Sequence, residues 1–85
     1  MERLTITTDI SAEKGERLAA EIVQLANRFS AVIHFELEDK IINAKSIMGM
    51  MTIAWGSGEV LTILAEGTDE KKAVEEISSY LLGNN

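Results

Sequence analysis

Three groups of side chains have the types and surroundings needed for chemistry: the hydroxyl of Ser46, the imidazole of His34, and the charged run Glu13-Lys14-Gly15-Glu16-Arg17. Ser46 stands where a strand-like alternation stops and the helix-permissive run Ile47-Met48-Gly49-Met50-Met51 begins. A serine in that position accepts a hydrogen bond from a backbone N–H of the first turn, a contribution of about 1 kcal/mol. The same hydroxyl, if phosphorylated, adds about −1.5 to −2 charges where backbone donors favour an anion. A plain helix cap and a phosphoacceptor are thus both open. Ile47, Met48 and Met51 share one side of the short turn, and Met50 points elsewhere, toward the core. The methionines either fill gaps in the core or form an exposed, adaptable patch that suits docking.

His34 is the only histidine, and the alternation Ile33-His34-Phe35-Glu36-Leu37 sets it on the polar face of a strand. It reads as a partly exposed strand residue. Glu16 and Arg17 together fit ordinary helix-start electrostatics, while a guanidinium is also well shaped for bidentate phosphate recognition. By its position alone Arg17 reads as a solvated helix-face residue. Lys45 is either an ordinary strand-end lysine or a neighbour of a phosphate on Ser46.

The remaining composition excludes several classes. The chain has 85 residues with a net charge of −6, and its eight basic residues are scattered, so direct nucleic-acid binding is not expected. It has no cysteines, so neither disulfides nor thiolate metal sites enter. No metal or cofactor is expected. No apolar run approaches the ~18 residues of a membrane span or forms a signal peptide, so a cytoplasmic location without membrane insertion is expected.

The elements that must position these groups follow from periodicity. Leu4 and Ile6 alternate with Thr5 and Thr7 as a first strand. From about Gly15 or Glu16, the residues Leu18, Ile22, Leu25, Ala26 and Phe29 make an amphipathic helix; whether Ser11 caps an earlier start, adding a turn at 12–14, stays open. Ile33, Phe35 and Leu37, then Ile41 and Ile42 after Glu38-Asp39, predict a hairpin. Trp55-Gly56-Ser57-Gly58 reads as a turn, Leu61, Ile63 and Ala65 as a fourth strand, and Gly67-Thr68-Asp69-Glu70 as the capped start of a last helix. Ala73, Ile77, Tyr80 and Leu81 form that helix's buried stripe, and Gly83 ends it. The order βαββαβα predicts one α+β domain over 1–85, a sheet with helices on one face.

The segments "NAKSIMGMM" (43–51), "EIVQLANRFSAVIHFE" (21–36) and "GTDEKKAVEEISSYL" (67–81) resemble the HPr family, the small phosphocarriers of the bacterial sugar phosphotransferase system. The resemblance runs over nearly the whole chain. It implies an open-faced sandwich, a four-stranded antiparallel sheet with three helices on one face. It also implies that Gly15 occupies the place of the family's phosphorylatable histidine, with Glu16 for the alanine, Arg17 retained and Leu18 for the proline. Glycine has no group to accept a phosphoryl, and the chain resembles the catabolite-repression branch that lacks the histidine. By that resemblance it is no enzyme but a regulatory protein, phosphorylated on Ser46 by HPr kinase/phosphorylase. It would then be an effector for a LacI-type catabolite control regulator, with Arg17, Lys45, Ile47, Met48 and Met51 facing partners. The alternatives are a phosphocarrier using another residue and a binding module that needs no phosphorylation.

Overall fold

The computed structural model describes residues 1–84. Seven elements follow in order: β1 (Glu2–Asp9), α1 (Ala12–Ala26), β2 (Val32–Leu37), β3 (Lys40–Asn43), α2 (Ile47–Met50), β4 (Ser57–Glu66) and α3 (Glu70–Gly83). The four strands form one antiparallel sheet in the order β1-β4-β2-β3. Residues opposite one another in a register share a face. Ile6 therefore meets Leu61, while Phe35 lies across from both Ile63 and Ile42, and all five are buried. On the other face Val60, Val32 and Ile41 remain exposed. Helices cover only the first face. Leu18, Ala19, Ile22 and Ala26 of α1, Met50 of α2, and Ala73, Val74, Ile77 and Leu81 of α3 complete a single core with the buried strand residues.

Several local outcomes depart from what periodicity implies. Helix α1 starts at Ala12, because the Ser11 hydroxyl accepts from the Lys14 N–H at 3.2 Å and the Gly15 N–H already donates to the Ser11 carbonyl at 2.8 Å. The helix stops at Ala26, and Phe29 is buried from the turn that follows. The stretch 55–58 is only partly a turn. Ser57 and Gly58 already belong to β4, where the register against β1 slips between Thr8 and Asp9. Gly58, at φ +75°, is the extra residue of that bulge, a conformation that side chains disfavour.

Asp69 stands at the N-cap of α3 but makes no side-chain cap there. Its two carboxylate oxygens instead accept from the Ser30 and Ala31 N–H groups, each at 2.8 Å, and so tie the turn after α1 to the start of α3. The Ser30 donor first, and Ala31 with it, holds this carboxyl below its ordinary range. Glu70 reaches back to the Gly67 N–H at 3.0 Å, which lowers its pKa in the same way. Tyr80, expected inside, is exposed. Val74 and Ser78 take up the buried stripe beside Ala73, Ile77 and Leu81.

Candidate functional site

Ser46 caps α2. Its backbone is extended (φ −102°, ψ 115°), its hydroxyl accepts from the Gly49 N–H at 3.2 Å, and its carbonyl accepts from the Met50 N–H at 2.9 Å. The cap is held from the strand side as well. The Ser46 N–H donates to the Asn43 carbonyl, and the Asn43 side-chain oxygen accepts from the Lys45 N–H at 2.9 Å. The half-buried Ser46 therefore sits at the rim of the fold on a fixed backbone.

A helix of four residues buries one side and must expose the rest. Met50 is that side, fully buried, whereas Met48 is 82% exposed and Ile47 and Met51 are 45% exposed each. The exposed three form an apolar surface beside the serine. Met51 also lines a groove of about 320 Å³ between α1 and α2, together with Ala12, Gly15, Glu16, Ala19, Ile53, Ala54 and Trp55.

Lys45 and Arg17, the two basic residues expected to face partners alongside Ser46, are directed elsewhere. The Lys45 ammonium donates to the Phe29 carbonyl at 2.7 Å, and the Lys45 carbonyl accepts from the Asn27 side chain at 3.3 Å. Its charge lies near Asp69, whose carboxyl it helps keep ionised. Arg17 sits on the flank of α1 turned to α3, at 3.9 Å from Glu21 and close enough to act on the Tyr80 hydroxyl. There the Glu21 carboxylate beside the Tyr80 hydroxyl pushes the phenol up. Successive residues of a helix point about 100° apart, so it is Glu16 and not Arg17 that faces the α1–α2 groove.

The environment of Gly15 is the feature that the sequence reading missed. Gly15 lies in the first turns of α1, and the Trp55 side chain packs directly on it. A β-carbon built at Gly15 would sit 2.7 Å from the Trp55 Cβ and closer still to Cγ and Cδ1 of the indole. No side chain fits unless the tryptophan moves. Trp55 is buried, so its place in a Gly- and Ser-rich stretch conceals a core residue. The available signal was its identity: the one tryptophan of a chain with few aromatics has too much apolar surface to leave in a turn.

His34 lies on the uncovered face of the sheet, opposite Asn43 and Leu64, and is half-exposed. Among the described residues no three His, Asp or Glu side chains are grouped to hold a metal ion, and no helix is long and apolar enough to cross a membrane.

Residues 4–82 match the family described as the PTS HPr component phosphorylation site. The chain belongs to the HPr family. Within the family it stands in the Crh branch. It is 48% identical over 65 residues to the HPr-like protein Crh of Halalkalibacterium halodurans, covering 76% of this chain and 77% of that one. The HPr-like protein Crh of Bacillus subtilis is 45% identical over 65 residues, 76% of each chain. Among solved structures, HPr-C-His of Thermoanaerobacter tengcongensis superimposes with a TM-score of 0.85 at 37% identity, over 95% of this chain and 91% of that one. The α+β open-faced sandwich is thus shared with this HPr-family relative.

Proposed function

We propose that this HPr-family chain is an effector of carbon catabolite regulation, switched by phosphorylation of Ser46, and not a histidine phosphocarrier. The observation that carries the reading is the pairing of a rigidly capped, rim-placed Ser46 with the exposed Ile47, Met48 and Met51. A phosphate added there leaves the core untouched, because only the cap bond to Gly49 has to be exchanged for bonds to phosphate oxygens. It changes the charge beside an apolar patch, and a partner can read the two together. The phosphorylating partner is HPr kinase/phosphorylase, the reader is a LacI-type catabolite control regulator, and both meet the protein in the cytoplasm. In this reading the chain is a substrate and effector with no catalysis of its own.

Arg17, 66% exposed and 3.9 Å from Glu21, joins the partner-facing surface only by leaving the α3 flank. Lys45 joins it only by exchanging the Phe29 carbonyl for the phosphate. The tight packing of Trp55 on Gly15 supports the loss of the carrier reaction, since the position assigned to the histidine has neither a nucleophile nor room for one.

The deciding experiment is intact mass after incubation with ATP and an HPr kinase/phosphorylase, with Ser46→Ala as control. One added phosphate, absent from the variant, is the expected result; no addition to the parent protein rejects the switch. Met48, already 82% exposed with Ser46 unphosphorylated, favours a second reading as a phosphorylation-independent binding module. In that case a regulator binds the parent and Ser46→Ala proteins equally. Label accepted from phosphoenolpyruvate in acid-labile form would instead point to a carrier using another residue.

A further inference from the structure

The helix-free face of the sheet carries a second surface, on the side of the sheet away from the core into which α2 packs Met50. At the tip of the β2–β3 hairpin, Glu36, Glu38, Asp39 and Glu59 surround a concavity of about 990 Å³, with Ile41, Val60 and Thr62 on its floor. Register places these groups together: Ile41 pairs with Glu36, which pairs on its other side with Thr62, and Gly58 and Glu59 near the start of β4 line the same concavity. Ile41 is 63% exposed and Val60 53%, the two most exposed aliphatics of this end of the sheet.

Charge here is not balanced within the chain. None of the four carboxylates takes part in an ion pair among the described residues, and Lys40, the one cation among the lining residues, donates its ammonium to the Thr52 carbonyl at 3.0 Å, so four carboxylates face a single ammonium. The other acidic groove, between α1 and α3, differs: Glu21 pairs with Arg17, Glu76 with Lys72, and Arg28 lines the same wall. Nor do the hairpin carboxylates converge on a single ion, since no three of them are grouped closely enough to chelate a metal among the described residues. Dispersed anions around an exposed aliphatic strip match dispersed cations on an extended chain, which gain from both charge complementarity and apolar burial.

We propose that this hairpin face docks a basic, extended polypeptide segment of a partner protein, with β-branched or aliphatic side chains on Ile41 and Val60 and lysines or arginines against Glu36, Glu38, Asp39 and Glu59. The test uses the intact protein and a short synthetic peptide alternating lysine with valine, with a glutamate-for-lysine peptide as control. Amide and methyl NMR shifts should move at Ile41, Val60 and Glu59, weaken on raising salt, and be absent with the acidic peptide. Double reversal by Glu36→Lys and Glu59→Lys should weaken binding by roughly tenfold, from two lost attractions and two new repulsions. Should that variant fold poorly by circular dichroism, Glu38→Gln with Asp39→Asn in the exposed turn tests the same charges and should weaken binding by a smaller factor. Shifts confined to the α1–α3 groove, no shifts at all, or undiminished binding by a folded charge variant each overturn the proposal.

Discussion

Gly15 on α1 and Ser46 at the start of α2 flank one α1–α2 surface, and the protein treats them in opposite ways. Around Gly15 the chain has closed the surface: helix α1 begins a turn earlier, at Ala12, and Trp55 occupies the space that a side chain would need. Around Ser46 it has left the surface open, with the hydroxyl at the rim and Met48 mostly in solvent. The difference lies in which residue reaches the core. Met50 is buried on the α2 side and Trp55 on the α1 side, and what remains outside is decided by those two anchors.

The contrast breaks first at its anchors. Met50→Ala removes a fully buried side chain and should cost about 2–5 kcal/mol, readable by chemical denaturation; a loss near zero would mean that α2 is not held to the core by this residue. Gly15→Ala should cost about 1–3 kcal/mol by overpacking, although the same change in an exposed helix gains about 1 kcal/mol. The penalty should vanish in a Trp55→Ala background. If it persists there, the indole is not what fills the space. Ser46→Ala should lose about 1 kcal/mol with the cap, together with any kinase-dependent mass increase. Met48→Ala should shift stability by less than about 0.5 kcal/mol, so a larger loss would show the patch to be covered in the free protein.

The smallest effect sharpens the comparison from outside the surface. Asp69 and Glu70 have carboxyls lowered by backbone N–H donors. A group whose folded pKa is lowered contributes stability that is complete above its unfolded value and lost as pH falls through the folded one. The sheet–helix junction should therefore weaken below about pH 4. Asp69→Asn should flatten that part of the stability–pH curve, as followed by thermal unfolding across pH 2–6 in a series of roughly unit steps. An unchanged slope would separate Asp69 from the acid response.

How much was legible in advance can be judged residue by residue. Strand alternation placed Ile33, Phe35, Leu61 and Ile63 inside, because a period of two survives any packing that leaves one face of a sheet covered. The one-turn length of α2 already separated Met50 from its exposed neighbours. Asp69 was read as a cap, and its carboxylate instead bonds two N–H groups almost forty residues away in the chain. Tyr80 fits a helical stripe by spacing, yet it faces Glu21 on the rim between two helices. Neither outcome follows from local pattern, since both depend on which element lies alongside.

By itself the sequence determined the order of elements, the face of each strand, the placement of Ser46 at a helix start, and the absence of any side chain at position 15 that could take a phosphoryl group. These properties follow from side-chain identity and local periodicity, which act over a few residues. Only the tertiary structure decided that the vacancy at Gly15 is filled by Trp55, that Lys45 turns to Phe29 and Arg17 to Glu21, and that the hairpin carboxylates gather around Ile41 and Val60. Each of these depends on two segments distant in the chain meeting in space. Burial and charge pairing between such segments are set when the sheet and helices pack, and no spacing within one segment records them.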